Sequence, residues 1–321
     1  MTTAAASSPS VGGALRLIAS DIKLAHSIFA LPFAVLGAFM AGPVPGERLF
    51  DSARAGEWRA FAGKLALVVV CMVLARTWAM LFNRLVDVRF DAENARTARR
   101  VFASGRLSTN TGWAVACGCT ALFCGVTALY WLFYDNPWPL ALSIPVLAWI
   151  AFYSLTKRFT MLCHVFLGGA LAASPLAAAI AVEPSRVLTT PALWCIAGFV
   201  LAWVAGFDIL YALQDEEFDR GRGLHSVPAK LGTSRALLAS RVLHGTGLAL
   251  LVLAQQSGTV LGALFAGGIL LVGALLVLEH TIVAVRWRGG KGEASLNMAF
   301  FTVNGVVSCV LGVLGVVDVL T

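Results

Sequence analysis

The chain has 321 residues, of which 59% are hydrophobic and only 13% charged, and its mean hydropathy is +0.82. A water-soluble domain of this size carries about a quarter of its residues as charges, so the composition excludes an ordinary soluble protein. The net charge of +7 implies no nucleic-acid partner, because the basic residues sit in short blocks between apolar runs, as membrane topology requires.

In chain order, residues 1–13 are rich in Ala, Ser, Gly and Pro, and 1–19 reads as a disordered cytoplasmic tail before one transmembrane domain over 20–321. A bilayer-crossing helix needs roughly 20 apolar residues. Such runs occur near 25–42, 61–83, 112–133, 137–154, 162–182, 190–212, 237–255, 259–283 and 296–320. They predict an all-α integral membrane protein of nine transmembrane helices. The first run opens on Asp21, Lys23 and His26 with only weak cleavage signals, so it reads as a retained span; His26 reads first as an interfacial or packing residue. The weakest division is 112–154, where only Tyr134-Asp135-Asn136-Pro137 separates two spans.

With a cytoplasmic N-terminus, 18 of the 24 Lys and Arg fall on the cytoplasmic side and five outside, with Arg76 inside a span. Positive charge favours the inside, which predicts a multi-pass protein of the cell's inner (cytoplasmic) membrane with its acidic clusters facing the cytoplasm. The seven cysteines lie mostly in apolar spans with no CxxC pair, and read as small packing residues rather than a disulfide or zinc framework.

Two acidic clusters carry the chemistry. Asn83, Asp87 and Asp91 follow the second span at i, i+4 and i+8, one stripe of a helix. Asp208, Tyr211, Asp215 and Asp219 end the sixth span at i, i+3, i+7 and i+11, again one stripe. Carboxylates stacked one turn apart repel unless a cation lies between them, and Mg²⁺ takes one or two carboxylates plus phosphate oxygens. Two facing pairs therefore predict a Mg²⁺-held diphosphate; the bland alternative is solvated helix ends at the membrane edge. Asn83 and Asp208 lie inside the apolar boundary, where polar groups are costly and usually functional.

Each cluster is followed by a basic, turn-rich loop, Asn94 to Ser108 and Arg220 to Pro228, suited to a lid over a phosphorylated substrate. The four-span offset between clusters suggests two four-helix halves plus one added helix. Tyr153 and Lys157 end the fourth span with Arg158 beside them. Lys157 could neutralise diphosphate oxygens and Tyr153 could donate to them or stack on a carbocation, or the group is a membrane-edge anchor. Arg76 calls for an anionic partner, either a protein carboxylate or a substrate carboxylate. His164, His244 and His280 have no partner identifiable by spacing, and Trp78, Trp138 and Trp149 read as packing aromatics.

Together these residues resemble the UbiA superfamily of membrane prenyltransferases over essentially 20–320. Asn83-x-x-x-Asp87-x-x-x-Asp91 resembles its first motif and Asp215-x-x-x-Asp219 its second. Asp208-x-x-Tyr211-Ala212, Tyr153-x-x-Thr156-Lys157-Arg158 and Asp21-to-Phe33 resemble segments of the 4-hydroxybenzoate branch. The resemblance implies nine helices around a central cavity, with Asn83, Asp87, Asp91, Asp215 and Asp219 holding Mg²⁺. It implies diphosphate contacts from Asn83, Arg84, Lys157 and Arg158, and catalytic roles for Tyr153, Lys157, Asp208 and Tyr211. The partners implied are a polyprenyl diphosphate with its tail in a lipid-facing tunnel, and an aromatic acid prenylated on a ring carbon in quinone biosynthesis. The second motif departs from the Asp-rich ubiquinone-pathway run and is closer to a menaquinone branch with dihydroxynaphthoate-type acceptors. Competing readings are a cation-coupled transporter, disfavoured because the carboxylates crowd one face, and a CDP-alcohol phosphotransferase, which keeps its aspartates in a single motif.

Overall fold

The computed structural model describes residues 11–22, 29–43, 55–257, 261–288 and 299–321. Among these the regular structure is helical throughout, with no strand. The helices are α1 (Val11–Ile22), α2 (Leu31–Met40), α3 (Ala55–Val86), α4 (Val88–Glu93), α5 (Thr109–Tyr134), α6 (Trp138–Thr156), α7 (Cys163–Val182), α8 (Arg186–Thr189), α9 (Pro191–Ala212), α10 (Glu216–Gly221), α11 (Val227–Leu231), α12 (Thr233–Gln256), α13 (Ala263–Arg288) and α14 (Asn304–Leu320). Eight helices among the described residues are long and apolar enough to cross a bilayer, and α2 is a shorter apolar helix. These nine correspond in order to the nine apolar runs. His26 lies outside the described residues.

Helix α9 is the axis of the bundle. Before Asp208 it is apolar on every face, as a helix packed among others must be: Leu193, Ile196, Phe199, Val200, Trp203 and Val204 are all fully buried. It packs chiefly on α7 and α12. Small residues let the backbones close, because in lipid helix association rests on van der Waals packing. Gly168 of α7 sits against the Leu201 backbone, and Gly37 of α2 against that of Pro175, with no room for a Cβ at either. A short polar chain crosses the core: Trp203 Nε1 donates to Asn304 Oδ1 at 2.7 Å, and the Asn304 amide donates to Glu279 Oε1 at 2.6 Å. Leu122, Trp131, Leu132 and Ile144 on α5 and α6 face outward, apolar surface suited to lipid.

Residues 11–19, expected to belong to a disordered tail, are helical in α1. Its Ala14, Ile18 and Ile22 recur every four residues and pack on Leu81, Leu85, Val101, Phe102 and Leu107. The small-residue composition disguised an amphipathic face.

Both acidic segments bend at the same point of their motif. Helix α3 stops at Val86, and Asp87 takes φ −102°, ψ 11° before the six-residue α4. Helix α9 stops at Ala212, a 3₁₀ turn spans Leu213–Asp215, and Asp215 takes φ −106°, ψ 7° before the six-residue α10. Both values fall in the sparsely used bridge region, where many active-site residues sit. Hydrogen bonds continue through the first bend, from Asp87 N to Asn83 O at 3.1 Å and from Asp91 N to Asp87 O at 2.8 Å. The predicted single stripe is thus a bent one.

Candidate active site

The two bends open onto one cavity of about 670 Å³, lined by Asn83, Asp87, Asp91, Asp215 and Asp219. Arg84, Tyr153, Lys157, Arg158, Asp208 and Tyr211 line it as well. Residues 128 apart in the two motifs thereby share one chamber.

Every motif carboxylate has a basic partner. Arg158 Nη2 lies 3.0 Å from Asp87 Oδ1, Arg100 Nη1 2.6 Å from Asp91 Oδ1, and Lys157 Nζ 2.8 Å from Asp219 Oδ1. Arg96 forks onto Asp215, with Nη2 2.6 Å from Oδ2 and Nε 3.2 Å from Oδ1, while the Asn94 amide donates to Oδ1 at 3.1 Å. Arg96 also donates to the Tyr211 hydroxyl at 3.3 Å and lies over that ring. Asn94, Arg96 and Arg100 belong to the first basic loop, and they bring it down onto both motifs. The second loop is tied in similarly: Ser226 Oγ donates to Asp219 Oδ2 at 2.8 Å, and His225 N donates to Lys157 O at 2.7 Å. Arg84 reaches back to Asp21 at 3.3 Å and donates to Asn83 Oδ1 at 3.3 Å.

These pairings set the charges. Burial pushes the Asp87 carboxyl above its ordinary range, against the opposing hydrogen bond and charge of Arg158. Burial acts to lower Lys157, but Asp219 and then Asp215 outweigh it, and its ammonium is held more firmly than an ordinary lysine's.

Below this charged tier lies a second one. Arg76 is seven residues before Asn83, and Asp208 seven before Asp215, about 10 Å deeper along each helix. Tyr153 stands one turn before Lys157, within electrostatic reach of Arg76 and Asp208. The buried Nε of Arg76 has no hydrogen-bond partner, and no carboxylate of the described residues pairs with this side chain. Arg76 and Tyr153 also line a neighbouring apolar cavity of about 290 Å³, walled by residues such as Val68, Met72, Phe123, Leu142 and Val146. Polar chamber and apolar chamber meet at these two side chains.

Spacing alone did not reveal four of the contacts. His164 pairs with Asp208, Nδ1 to Oδ2, at 2.7 Å. His244 pairs with His280 at 3.1 Å away from the chamber. Arg96 and Arg100, expected only as parts of a lid, are direct counter-ions. A strongly basic loop next to an acidic motif was the available signal for the last.

Among the described residues no three His, Cys, Asp or Glu side chains converge on one metal position. The oxygens that line the chamber, from Asn83, Asp87, Asp91, Asp215 and Asp219, are hard donors of the kind Mg²⁺ takes, a few at a time, beside phosphate oxygens and water.

The pattern defining the UbiA prenyltransferase family matches residues 28–305. The 4-hydroxybenzoate octaprenyltransferase of Azotobacter vinelandii is 34% identical over 228 residues, 70% of this chain and 72% of that protein. The enzyme of the same name from Alkalilimnicola ehrlichii is 30% identical over 237 residues, 73% of this chain and 76% of its own. The apo structure of a UbiA homolog from Aeropyrum pernix K1 superposes with a TM-score of 0.73 at 31% identity, covering 92% of this chain and 98% of that one. A UbiA homolog from Archaeoglobus fulgidus, solved with GPP and Mg²⁺, shares the fold at 17% identity, with a TM-score of 0.66 over 94% of this chain and 99% of that one.

Proposed function

The chain belongs to the UbiA prenyltransferase family, and from that premise we propose that it transfers a polyprenyl group from a polyprenyl diphosphate to a ring carbon of a hydroxylated aromatic acid of the 4-hydroxybenzoate type, in quinone biosynthesis. One observation carries the reading: two bent carboxylate motifs and the cations Lys157, Arg158 and Arg84 line one chamber, and this chamber meets an apolar one. The names of the curated relatives support an aromatic acid as acceptor.

Mg²⁺ is the cofactor of this proposal, and Asn83, Asp87, Asp91, Asp215 and Asp219 would hold it. Bound there, it supplies positive charge that neutralises the departing diphosphate. The chain's own cations act toward the same end: Lys157 and Arg158, with Arg84 and Asn83 beside them, face the space the diphosphate would fill and stabilise charge as the allylic C–O bond ionises. Tyr153 presents a ring face below them to the resulting carbocation. The apolar walls keep water from the cation and take the isoprenoid tail. Arg76, which no carboxylate of the described residues pairs with, takes the carboxylate of the acceptor. That fixes the ring in the lower tier, beneath C1 of the prenyl group. Asp208 faces the same tier and accepts a proton, with the Tyr211 hydroxyl held by Arg96 above it. Loop charge supports a cytoplasmic mouth in the inner membrane.

The test incubates purified protein in lipid vesicles with radiolabelled prenyl diphosphate, a panel of hydroxylated aromatic acids and Mg²⁺, with and without chelator. Label is expected in the aromatic acid only with Mg²⁺. Failure to label any aromatic acid, at any divalent-ion concentration, would end this reading.

A further inference from the structure

We propose that His164 is a positioning residue of the transfer reaction, holding Asp208 in place to receive the proton that the acceptor ring loses after prenylation. The inference rests on the function proposed above and adds to it a residue that spacing alone did not single out.

The geometry is a two-sided bracket. On one edge of the imidazole, Nδ1 lies 2.7 Å from Asp208 Oδ2; on the other, Nε2 accepts the backbone N–H of Val227 at 3.2 Å. A nitrogen that accepts an N–H carries a lone pair, so the ring proton sits on Nδ1 and is donated to Asp208. The imidazole is neutral and its tautomer is fixed by main chain. That main chain is itself anchored: Ser226, one residue earlier, donates to Asp219 and accepts the Ala229 N–H at the start of α11. His164 is almost wholly buried at 3% side-chain exposure, whereas Asp208 keeps 23% of its side chain open where both line the chamber.

The contrast with the other aspartates gives the pair its meaning. Asp87, Asp91, Asp215 and Asp219 each face an arginine or a lysine. Among the described residues no arginine or lysine pairs with Asp208, whose partner is the His164 ring. A full positive charge would suppress the basicity of a carboxylate, whereas a neutral N–H orients it and leaves most of that basicity intact. Asp208 is thus the lower-tier carboxylate fit to take a proton, with Oδ2 fixed by His164 and Oδ1 left for the ring.

The step balances without a further reactant. Once the new C–C bond has formed, the attacked ring carbon carries both the prenyl group and a hydrogen. Its C–H bond breaks, the electron pair returns to the ring and restores aromaticity, and the proton passes to Asp208. From there it is lost to water at the polar mouth of the chamber.

The experiment uses full-length protein in lipid vesicles with 4-hydroxybenzoate carrying hydrogen or deuterium at both carbons beside the hydroxyl. Those are the positions the hydroxyl activates, since the para carbon bears the carboxylate. Wild type is expected to show little isotope effect, because loss of the proton is fast. His164→Ala should lower kcat by roughly 10- to 100-fold, the usual consequence of removing an orienting partner. It should also gain a primary isotope effect and keep its KM for prenyl diphosphate. His164→Asn, whose amide can donate from nearly the Nδ1 position, should recover much of kcat and lose the isotope effect. A slow His164→Ala with no isotope effect, or a His164→Asn no better than His164→Ala, overturns the inference. If His164→Ala does not fold, the isotope effect of His164→Asn alone decides: a small one supports the inference, and one as large as a wholly rate-limiting C–H cleavage refutes it. Absence of any transfer by wild type would instead remove the functional reading itself.

Discussion

Replacing Arg76 with Met separates binding from stability. The guanidinium lies where the polar and apolar chambers meet, and no carboxylate of the described residues pairs with it. If the acceptor carboxylate is its partner, the variant loses a charge-assisted interaction of about 1.5–3 kcal/mol. At tenfold per 1.4 kcal/mol, kcat/KM for 4-hydroxybenzoate should fall roughly 10- to 100-fold. The fold should not suffer, because a desolvated cation without a protein counter-ion opposes folding, and Met fills similar space. Two assays check this: initial rates with 4-hydroxybenzoate and with phenol, and the thermal melting of the purified protein. Wild type should strongly prefer the carboxylated acceptor and Arg76→Met should not, at an equal or higher Tm. A variant that melts well below wild type, or that keeps the preference for the carboxylate, refutes the assignment and points to a partner within the protein.

Asp87→Ala and Asp215→Ala should each lower prenyl transfer by at least about 100-fold, since each removes a ligand of the charge-neutralising centre, while circular dichroism stays that of the folded helical bundle; full activity of either variant counts against the diphosphate clamp. Asp87→Asn should be inactive yet more heat-stable near neutral pH. Burial raises the Asp87 pKa on folding, so its ionised form opposes folding above that pKa. That opposition disappears as pH falls through the raised value, and melting curves of the two proteins should converge in acid. Gly168→Val should sharply reduce the yield of folded protein, at a cost of about 1–3 kcal/mol or more, because its Cβ would enter the Leu201 backbone of α9; wild-type yield and Tm would show that α7 and α9 are not packed this closely.

Much of this architecture is legible in the sequence because a bilayer restricts it severely. An apolar run near 190–212 has few options besides α9, and Asp215 past its edge, like Asp87 past the run near 61–83, has few roles besides a polar site. The acidic stripes are visible because helical spacing is local. What stays hidden depends on distance in sequence. The fork of Arg96 onto Asp215 spans 119 residues, and the His164–Asp208 pair spans 44. No periodicity announces either. The bends at Asp87 and Asp215 are equally silent, as both segments score as good helix from side-chain spacing alone. Helix α1 was obscured for a different reason, since its narrow buried face of Ala14, Ile18 and Ile22 runs on directly from an Ala-, Ser- and Gly-rich stretch.

The junction of the two chambers at Arg76 and Tyr153 also has a practical consequence. An apolar sleeve that takes an isoprenoid in the proposed reaction will also accept the alkyl chain of a solubilising detergent, whose headgroup would then sit among the cations. Turnover in micelles should therefore read as weaker apparent substrate affinity, worsening with surfactant concentration and recovering once the enzyme is returned to vesicles.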